Sequence, residues 1–511
     1  MEFLKLDSIE KREYQLAIAE TASKKNTLVV LPTGMGKTLI GLFVTAKRLQ
    51  QFPDSKIIIM APTRPLSAQH KKTFEKFTNL NKEEIVLVTG KIKPEERGKL
   101  YEKGKIIIAT PQTIKNDLEN NRLNFENFAL ALFDEAHRAV KDYAYPYIAK
   151  KYMLQAKNPL ILALTASPGG TYERIEEICR NLFIKAVEIR TEFDKDVRAY
   201  VQPIRTEWVY VELPEEFKRV KELIEKVLKE DLNWLIEHNF LTKKATKKEL
   251  LELQKKISAH YVEGEKNYSL IWGMIKSAEA IKLEHALELL ETQGIPFVYD
   301  YFVKMMKSKK RTDMQTVRRP EIKEAFKIIE KLKQEKMNHP KLQKLLYIVK
   351  DLLKNPKAKI IVFANYRSTV EEIKWLLSKE GISTEILIGQ ARKGSGGMSQ
   401  EEQINTIKRF GEGEFNVLVG TSITEEGLDI PAVDYAIFYE AVPSEIRQLQ
   451  RRGRVGRQKM GKVIFLLTKG TRDEAYYWAA FQKEKKMRGI LYDMKERKLL
   501  EKPKSLLDWL K

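Results

Sequence analysis

The sequence predicts an α/β protein: two parallel-sheet domains with an all-helical domain inserted between them. Three observations carry this. From residue 27 to about 165, short apolar runs rich in β-branched residues alternate with longer amphipathic stretches. A second series of the same kind begins near residue 359. Between them, roughly from residue 205 to 338, the strand signal fades into charge-dense helical patterning, too long for a loop inside a compact domain.

In the first series the runs are "TLVVL", "KIIIMA", "KIIIAT", "LALFDE" and "LILALTA". Continuous apolar runs, rather than alternating ones, mark strands covered on both faces, as in a parallel sheet flanked by helices. Residues 1–204 are assigned to this domain. The strand-like "TEWVYVEL" opens the next region, 205–338, followed by "EEFKRVKELIEKVLKEDLNWLIEHNFL", "KKATKKELLELQKKI" and "AEAIKLEHALELLETQG". Its cluster Lys243, Lys244, Lys247 and Lys248 reads either as a solvated helix face or as a nucleic-acid contact. "KIIVFAN", "TEILIG", "NVLVGT", "YAIFYE" and "KVIFLLT" then build a second α/β domain over 339–484, and 485–511 reads as a basic tail.

The chain of 511 residues holds 92 lysines and arginines against 70 acidic residues, a formal charge of +22. Such an excess makes an acidic polymer the first partner to expect, with a membrane surface as the rival. There is no apolar run of transmembrane length, no signal peptide and no lipidation motif, so a cytoplasmic chain is expected. Cys179 is the only cysteine, which excludes an intrachain disulfide and a cysteine-based metal cluster; its helical spacing in "YERIEEICRNL" points to packing.

"LVVLPTGMGKT" places a glycine-containing turn between a strand and a helix. Backbone N–H groups and the helix dipole then converge on phosphate oxygens. Thr33, Gly34 and Gly36 shape the loop, Lys37 bridges the terminal phosphates of ATP, and Thr38 holds Mg²⁺. Leu31 stands where the strict phosphate-loop pattern has glycine. The second half of an ATPase site follows at the end of another apolar strand, "ALFDEAH": Asp134 for Mg²⁺ and Glu135 for the attacking water. His137 takes either a structural hydrogen-bonding role or one in energy coupling.

"QRRGRVGR" lies in the second α/β domain. Phosphoryl transfer needs positive charge beyond what the phosphate loop supplies. Arg454 and Arg457, in the motif opened by Gln450, can deliver it across the cleft when the two domains close.

The motifs "REYQ", "PTGMGKT", "APTRPL", "ATPQT", "DEAH", "TAS", "IVFANYR", "GTSITEEGLDIP" and "QRRGRVGR" appear in an order that resembles superfamily 2 helicases and translocases along nearly the whole chain. The resemblance implies RecA-like motor domains. It implies that Gln15 reads adenine with Arg12 nearby, that Arg64, Thr110 and Thr421 touch backbone phosphates, and that Thr165 and Ser167 form the coupling motif. Gly427 and Asp429 become nucleotide contacts of the second domain.

More closely, "LPTGMGKTLI", "FDEAHRAV", "NPLILALTASPGG", "TSITEEGLDIP" and "GTRDEAYYW" resemble the archaeal Hef helicases and their Fanconi anaemia group M relatives. That resemblance implies a thumb-like insertion and an ATP-dependent helicase or translocase acting on forked or branched DNA in fork repair and recombination. The same motor implies, as the alternative, an RNA-dependent ATPase or duplex-RNA helicase; a binding scaffold with a vestigial ATPase is a further one. Hef continues into a nuclease region whereas this sequence stops at Lys511, so nuclease activity is expected, if anywhere, on a separate partner. The final "KPKSLLDWLK" resembles a sliding-clamp-binding motif, with Leu506, Trp509 and Leu510 as anchors and Pro503 where glutamine is usual. The alternative is a terminal turn packing on its own domain.

Overall fold

The computed structural model describes residues 3–191, 193–200, 205–243, 245–262, 268–389, 397–421, 430–431, 433–440 and 461–496. In the first unit the strands are β1 (Thr27–Val30), β2 (Lys56–Met60), β3 (Ile85–Val88), β4 (Ile106–Ala109), β5 (Phe128–Phe133), β6 (Ile161–Thr165) and β7 (Ala186–Ile189). They form a parallel sheet in the order β3-β4-β2-β5-β6-β1-β7. Successive residues of β1 enter different cores: Leu28 and Val30 join the cluster with Ile58, Ile107 and Phe133, whereas Val29 joins the one with Ile57, Ile106 and Leu132. This is the two-sided burial that an unbroken apolar run implies. β3 and β7 at the sheet edges escape the sequence reading: the glutamate in β7 (AVEI) breaks its apolar signal, whereas the run of β3 (IVLV) is visible in the sequence.

The second sheet contains β8 (Arg205–Val211), β9 (Ile360–Phe363), β10 (Thr384–Leu387), β11 (Val417–Gly420), β12 (Tyr435–Phe438) and β13 (Lys462–Thr468), in the order β10-β11-β9-β12-β13-β8. This corrects the expectation for residues 205–211, which belong to the second sheet and not to the helical insertion. β8 runs parallel to β13 from Arg205 opposite Lys462 to Val211 opposite Thr468. Lying at an edge, it leaves Trp208 and Tyr210 exposed, so its sequence lacks the apolar run of its neighbours.

Between β8 and β9 stands a helical bundle. Its helix Glu215–Glu237 packs on both Tyr268–Thr292 and Pro320–Gln334, and with Ile295–Met306 they bury Phe217, Val220, Ile224, Leu283, Leu287, Phe302 and Ile329. Each such side chain contributes about 1.5–3 kcal/mol of burial.

A second correction concerns residues 485–496, expected as part of a basic tail. They complete a bridging helix, Arg472–Glu496. Met487, Leu491 and Met494, spaced to share one helix face, are buried in the core of the first unit. Tyr492 Oη donates to Asp194 at 2.7 Å, and Lys495 pairs with Glu188 at 3.4 Å. The helix therefore starts on the second sheet and ends on the first. Among the described residues, no helix is long and apolar enough to cross a membrane.

Candidate active site

Ligand sites in open parallel sheets lie beyond the carboxyl ends of the strands. Here β1, β5 and β6 are near neighbours, and Val30 of β1 lies opposite Thr165 of β6. The phosphate loop, the Asp134–Glu135 pair and the Thr165–Ser167 segment all issue from this one edge.

In the loop, Gly34 and Gly36 adopt φ of 89° and 76°, the left-handed region where a side chain is strained. A Cβ on Gly36 would fall 2.3 Å from Gln15 Nε2. Gln15 is buried against the loop, its Nε2 donating to the Met35 carbonyl at 3.2 Å, and Tyr14 Oη donates to the same oxygen at 2.8 Å. Gln15 Oε1 is buried without a hydrogen-bond partner among the described residues, an acceptor that a ligand's amino group can satisfy. Arg12 lies over the Tyr200 ring at 5.5 Å. Lys37 opens the helix Lys37–Gln51 and donates from Nζ to the Leu31 carbonyl at 3.0 Å.

Asp134 is buried, its Oδ1 accepting the Glu135 amide at 3.0 Å and its Oδ2 meeting His70 Nε2 at 2.8 Å. Burial alone would raise its carboxyl. The hydrogen bond and charge of His70, with Lys37 and the Glu135 amide, instead carry it below its ordinary value. An ionised carboxylate near the phosphate loop suits Mg²⁺, which takes few protein ligands and shares phosphate oxygens.

Glu135 sits at φ 50° and ψ 50°, a left-handed conformation costing a non-glycine residue about 1–3 kcal/mol. Its carboxylate Oε2 lies 3.3 Å from His137 Nδ1. His137 Nδ1 is also 3.2 Å from Thr165 Oγ1, which accepts the Ser167 amide at 3.2 Å. Ser167 Oγ in turn donates to Met487 Sδ at 3.0 Å. A line of contacts thus joins the Glu135 carboxylate to the bridging helix. His137 has both hydrogen-bonding and connecting positions.

Arg64 begins the helix Arg64–Phe77, which Thr63 caps through Oγ1 to the Leu66 amide at 3.4 Å. Thr110 Oγ1 bonds Thr113 Oγ1 at 2.9 Å. A Cβ on Gly90 would be 3.9 Å from an Arg64 guanidinium nitrogen and 3.8 Å from Thr113 Oγ1, so Arg64 and Thr110 share one corner. Thr421 holds the corresponding strand end of the second sheet, its amide donating to Leu387 at 3.2 Å. In the bundle Lys243 is exposed, Lys247 pairs with Glu288 at 2.7 Å, and Lys248 pairs loosely with Glu252 at 3.8 Å. Cys179 is buried and its thiol is pushed up to about 12 by that burial, which makes it inert packing.

The DEAD/DEAH box helicase family matches residues 12–175, the helicase conserved C-terminal domain matches 340–459, and a helical bundle described for an ATP-dependent RNA helicase matches 216–339. The crystal structure of the Pyrococcus furiosus Hef helicase domain is similar at a TM-score of 0.74 and 44% identity, over 93% of this chain and 99% of that one. The chain belongs to the Hef helicase family.

This Hef-family chain spans less than two thirds of the length of the curated relatives named here. A Methanocaldococcus jannaschii protein named as an ATP-dependent RNA helicase is 45% identical over 96% of this chain and 62% of its own length. An ATP-dependent DNA helicase of Schizosaccharomyces pombe is 34% identical over 91% of this chain and 57% of its own. The Fanconi anemia group M protein homolog of Mus musculus is 30% identical over 91% of this chain and 25% of its own. The two helicase domains imply nucleotide binding, and the buried acceptor on Gln15 fits it.

Two residues of this Hef-family site escape the sequence reading. His70 lies beside Ser67 and Phe74 on the buried face of its helix, a spacing visible in "RPLSAQHKKTFEKF" but silent about Asp134. Tyr145 donates from Oη to the Asp134 carbonyl at 2.6 Å, pinning the backbone before Glu135. Lys244, Gly427, Asp429, Gln450, Arg454, Arg457, Leu506, Trp509 and Leu510 lie outside the described residues.

Proposed function

We propose that this chain couples ATP hydrolysis to movement along DNA and that forked or branched DNA is its substrate. The observation that carries the reading is the convergence of phosphate loop, Asp134–Glu135 and Thr165–Ser167 at one sheet edge, with Ser167 against a helix from the second unit. A hydrolytic site in contact with the partner unit is what a two-unit motor requires. Relatives named as DNA helicases favour DNA.

In this reading Lys37 grips the terminal phosphates, while Thr38 and Asp134 hold Mg²⁺. Gly34 and Gly36 let the backbone approach the phosphates, and Thr33 lines the loop. Gln15 and Arg12 take the adenine. Bound MgATP supplies the phosphoryl group. Glu135, held in its strained conformation, orients the attacking water. Arg454 and Arg457, with Gln450, bring charge from the second unit, where Gly427 and Asp429 line the nucleotide. Arg64, Thr110 and Thr421 grip strand phosphates, so binding is sequence-independent and weakens steeply with salt. Lys243, Lys244 and Lys248 add charge from the insertion.

The name of the Methanocaldococcus relative favours a second reading, an RNA-dependent motor. ATP hydrolysis measured with forked DNA, linear duplex DNA, single strands and duplex RNA, with Lys37→Ala as the blank, separates them. Strongest stimulation by forked DNA is expected. Stimulation chiefly by duplex RNA would transfer the motor to RNA. For the end of the chain we keep the sliding clamp as a proposed partner, through Leu506, Trp509 and Leu510, and a separate nuclease as another. Clamp capture unaffected by Trp509→Ala would remove the first.

A further inference from the structure

The inserted bundle carries an open cleft of about 600 Å³ lined by Trp234, His238, Tyr268, Ser269, Trp272 and Lys276. Four of these six residues carry aromatic rings. The rings are ordered. Trp234 stacks on His238 with centroids 3.9 Å apart and planes 16° from parallel, and His238 Nδ1 lies 2.9 Å from the Trp234 carbonyl oxygen. Phe240 supports the indole at 6.0 Å and is itself lodged over Gly273, where a Cβ would come within 2.7 Å of its ring. Tyr268 and Trp272 meet edge to face at 6.0 Å, with Tyr268 75% exposed.

The charge around the cleft selects its occupant. Lys276 on its wall pairs with Asp231 at 2.6 Å, a carboxylate that Arg319 shares at 3.2 Å. The chain leaving the cleft at His238, however, carries Lys243, Lys244, Lys247, Lys248, Lys255 and Lys256 before His260; Glu288 takes up Lys247 at 2.7 Å, while Lys243, Lys255 and Lys256 are exposed. Presented rings followed in the chain by a basic segment are the means by which proteins hold single strands: phosphates are attracted, and any base has a face to stack.

We infer that this cleft stacks the unpaired nucleobases of a strand leaving a duplex. The inserted unit then recognises a fork by its open arm. The inference rests on the proposed function, since it supplies the nucleic acid.

Fluorescence anisotropy of labelled DNA tests it with three ligands: a fork, the same fork abasic at its first unpaired positions, and a blunt duplex. Trp272→Ala should weaken fork binding on the order of tenfold, leave the blunt duplex unchanged, and be largely rescued by Trp272→Phe. The wild-type chain should bind the abasic fork as weakly as Trp272→Ala binds the intact one. Equal affinity of the wild-type chain for intact and abasic forks would overturn the inference. So would an equal loss on fork and blunt duplex. Loss of binding to phosphatidylglycerol vesicles in Trp272→Ala, with fork affinity unchanged, would overturn it in favour of a lipid surface. ATP hydrolysis measured in parallel keeps the two readings apart: an ATPase indifferent to every nucleic acid removes the motor, while intact stimulation with no base dependence removes only the cleft.

Discussion

Ser167 donates its hydroxyl to Met487 Sδ at 3.0 Å across 320 residues of sequence. The serine follows the strand that borders the phosphate loop, and the methionine is on the helix that leaves the second sheet. Because a thioether is a weak acceptor, most of what holds this meeting together is the burial of Met487, Leu491 and Met494 in the first unit's core.

Met487→Ala should therefore loosen the bridging helix. Truncating a buried methionine costs about 2–5 kcal/mol, and Met487→Leu less than about 1.5. Unwinding should fall more than nucleic-acid-stimulated hydrolysis in the alanine variant, with leucine close to wild type. Base pairs opened per ATP hydrolysed is the quantity to measure; an unchanged ratio would show that the contact only stabilises.

His70 sets the protonation of Asp134. Burial pushes that carboxyl up, and His70 is the foremost of the groups that bring it below its ordinary 3.8. In the wild-type chain the carboxylate's contribution is present above that value and is lost as pH falls through the still lower folded value. His70→Ala leaves the burial and removes the partner, so the Asp134 carboxyl rises. The acid limb of the kcat/KM profile for ATP should move to higher pH, with stability reduced by about 1.5–3 kcal/mol. An acid limb in its wild-type position would remove Asp134 from the ionisation that limits hydrolysis.

The central strands were legible because burial on both faces leaves an unmistakable apolar run, and the phosphate loop because its glycines must lie where they do. β8 was legible as a strand but not as a member of the second sheet, since pairing across the helical insertion leaves no mark in "TEWVYVEL". Met487, Leu491 and Met494 had helical spacing in plain view, but the surrounding lysines suggested a tail. His70 shows the deeper limit. Its buried spacing was readable, whereas its partner is set by strand order, which no local pattern encodes.

Gly36→Ala should damage the phosphate loop without unfolding the unit. The new Cβ meets Gln15 Nε2 at 2.3 Å and φ of 76° is strained for alanine by about 1–2 kcal/mol. The loop can recover only by displacing Gln15 from Met35. Nucleotide affinity should drop on the order of tenfold or more for that strain plus the lost glutamine contact. Fluorescent-nucleotide titration checks it, alongside a thermal melt that should fall by only the few degrees that strain of this size costs.

His339 makes the second unit's connection to the bundle sensitive to acid. Its Nε2 meets the Glu291 carbonyl at 3.0 Å and its Nδ1 accepts the Lys341 amide at 3.2 Å, a pair of bonds that requires the neutral ring protonated on Nε2. Burial, with the nearby Lys341 charge, pushes the imidazole down to about 3 from 6.5. The unfolded chain takes up a proton below 6.5 that the folded one refuses, so stability is full above that pH and is lost on acidification toward about 3. The slope is about 1.4 kcal/mol per pH unit, or about 2 kcal/mol between pH 6.5 and 5. His339→Asn keeps an acceptor for the Lys341 amide and removes the titration. Denaturant unfolding at pH 7 and pH 5 should show a smaller acid-induced loss in that variant, and equal losses in both proteins would place the proton elsewhere.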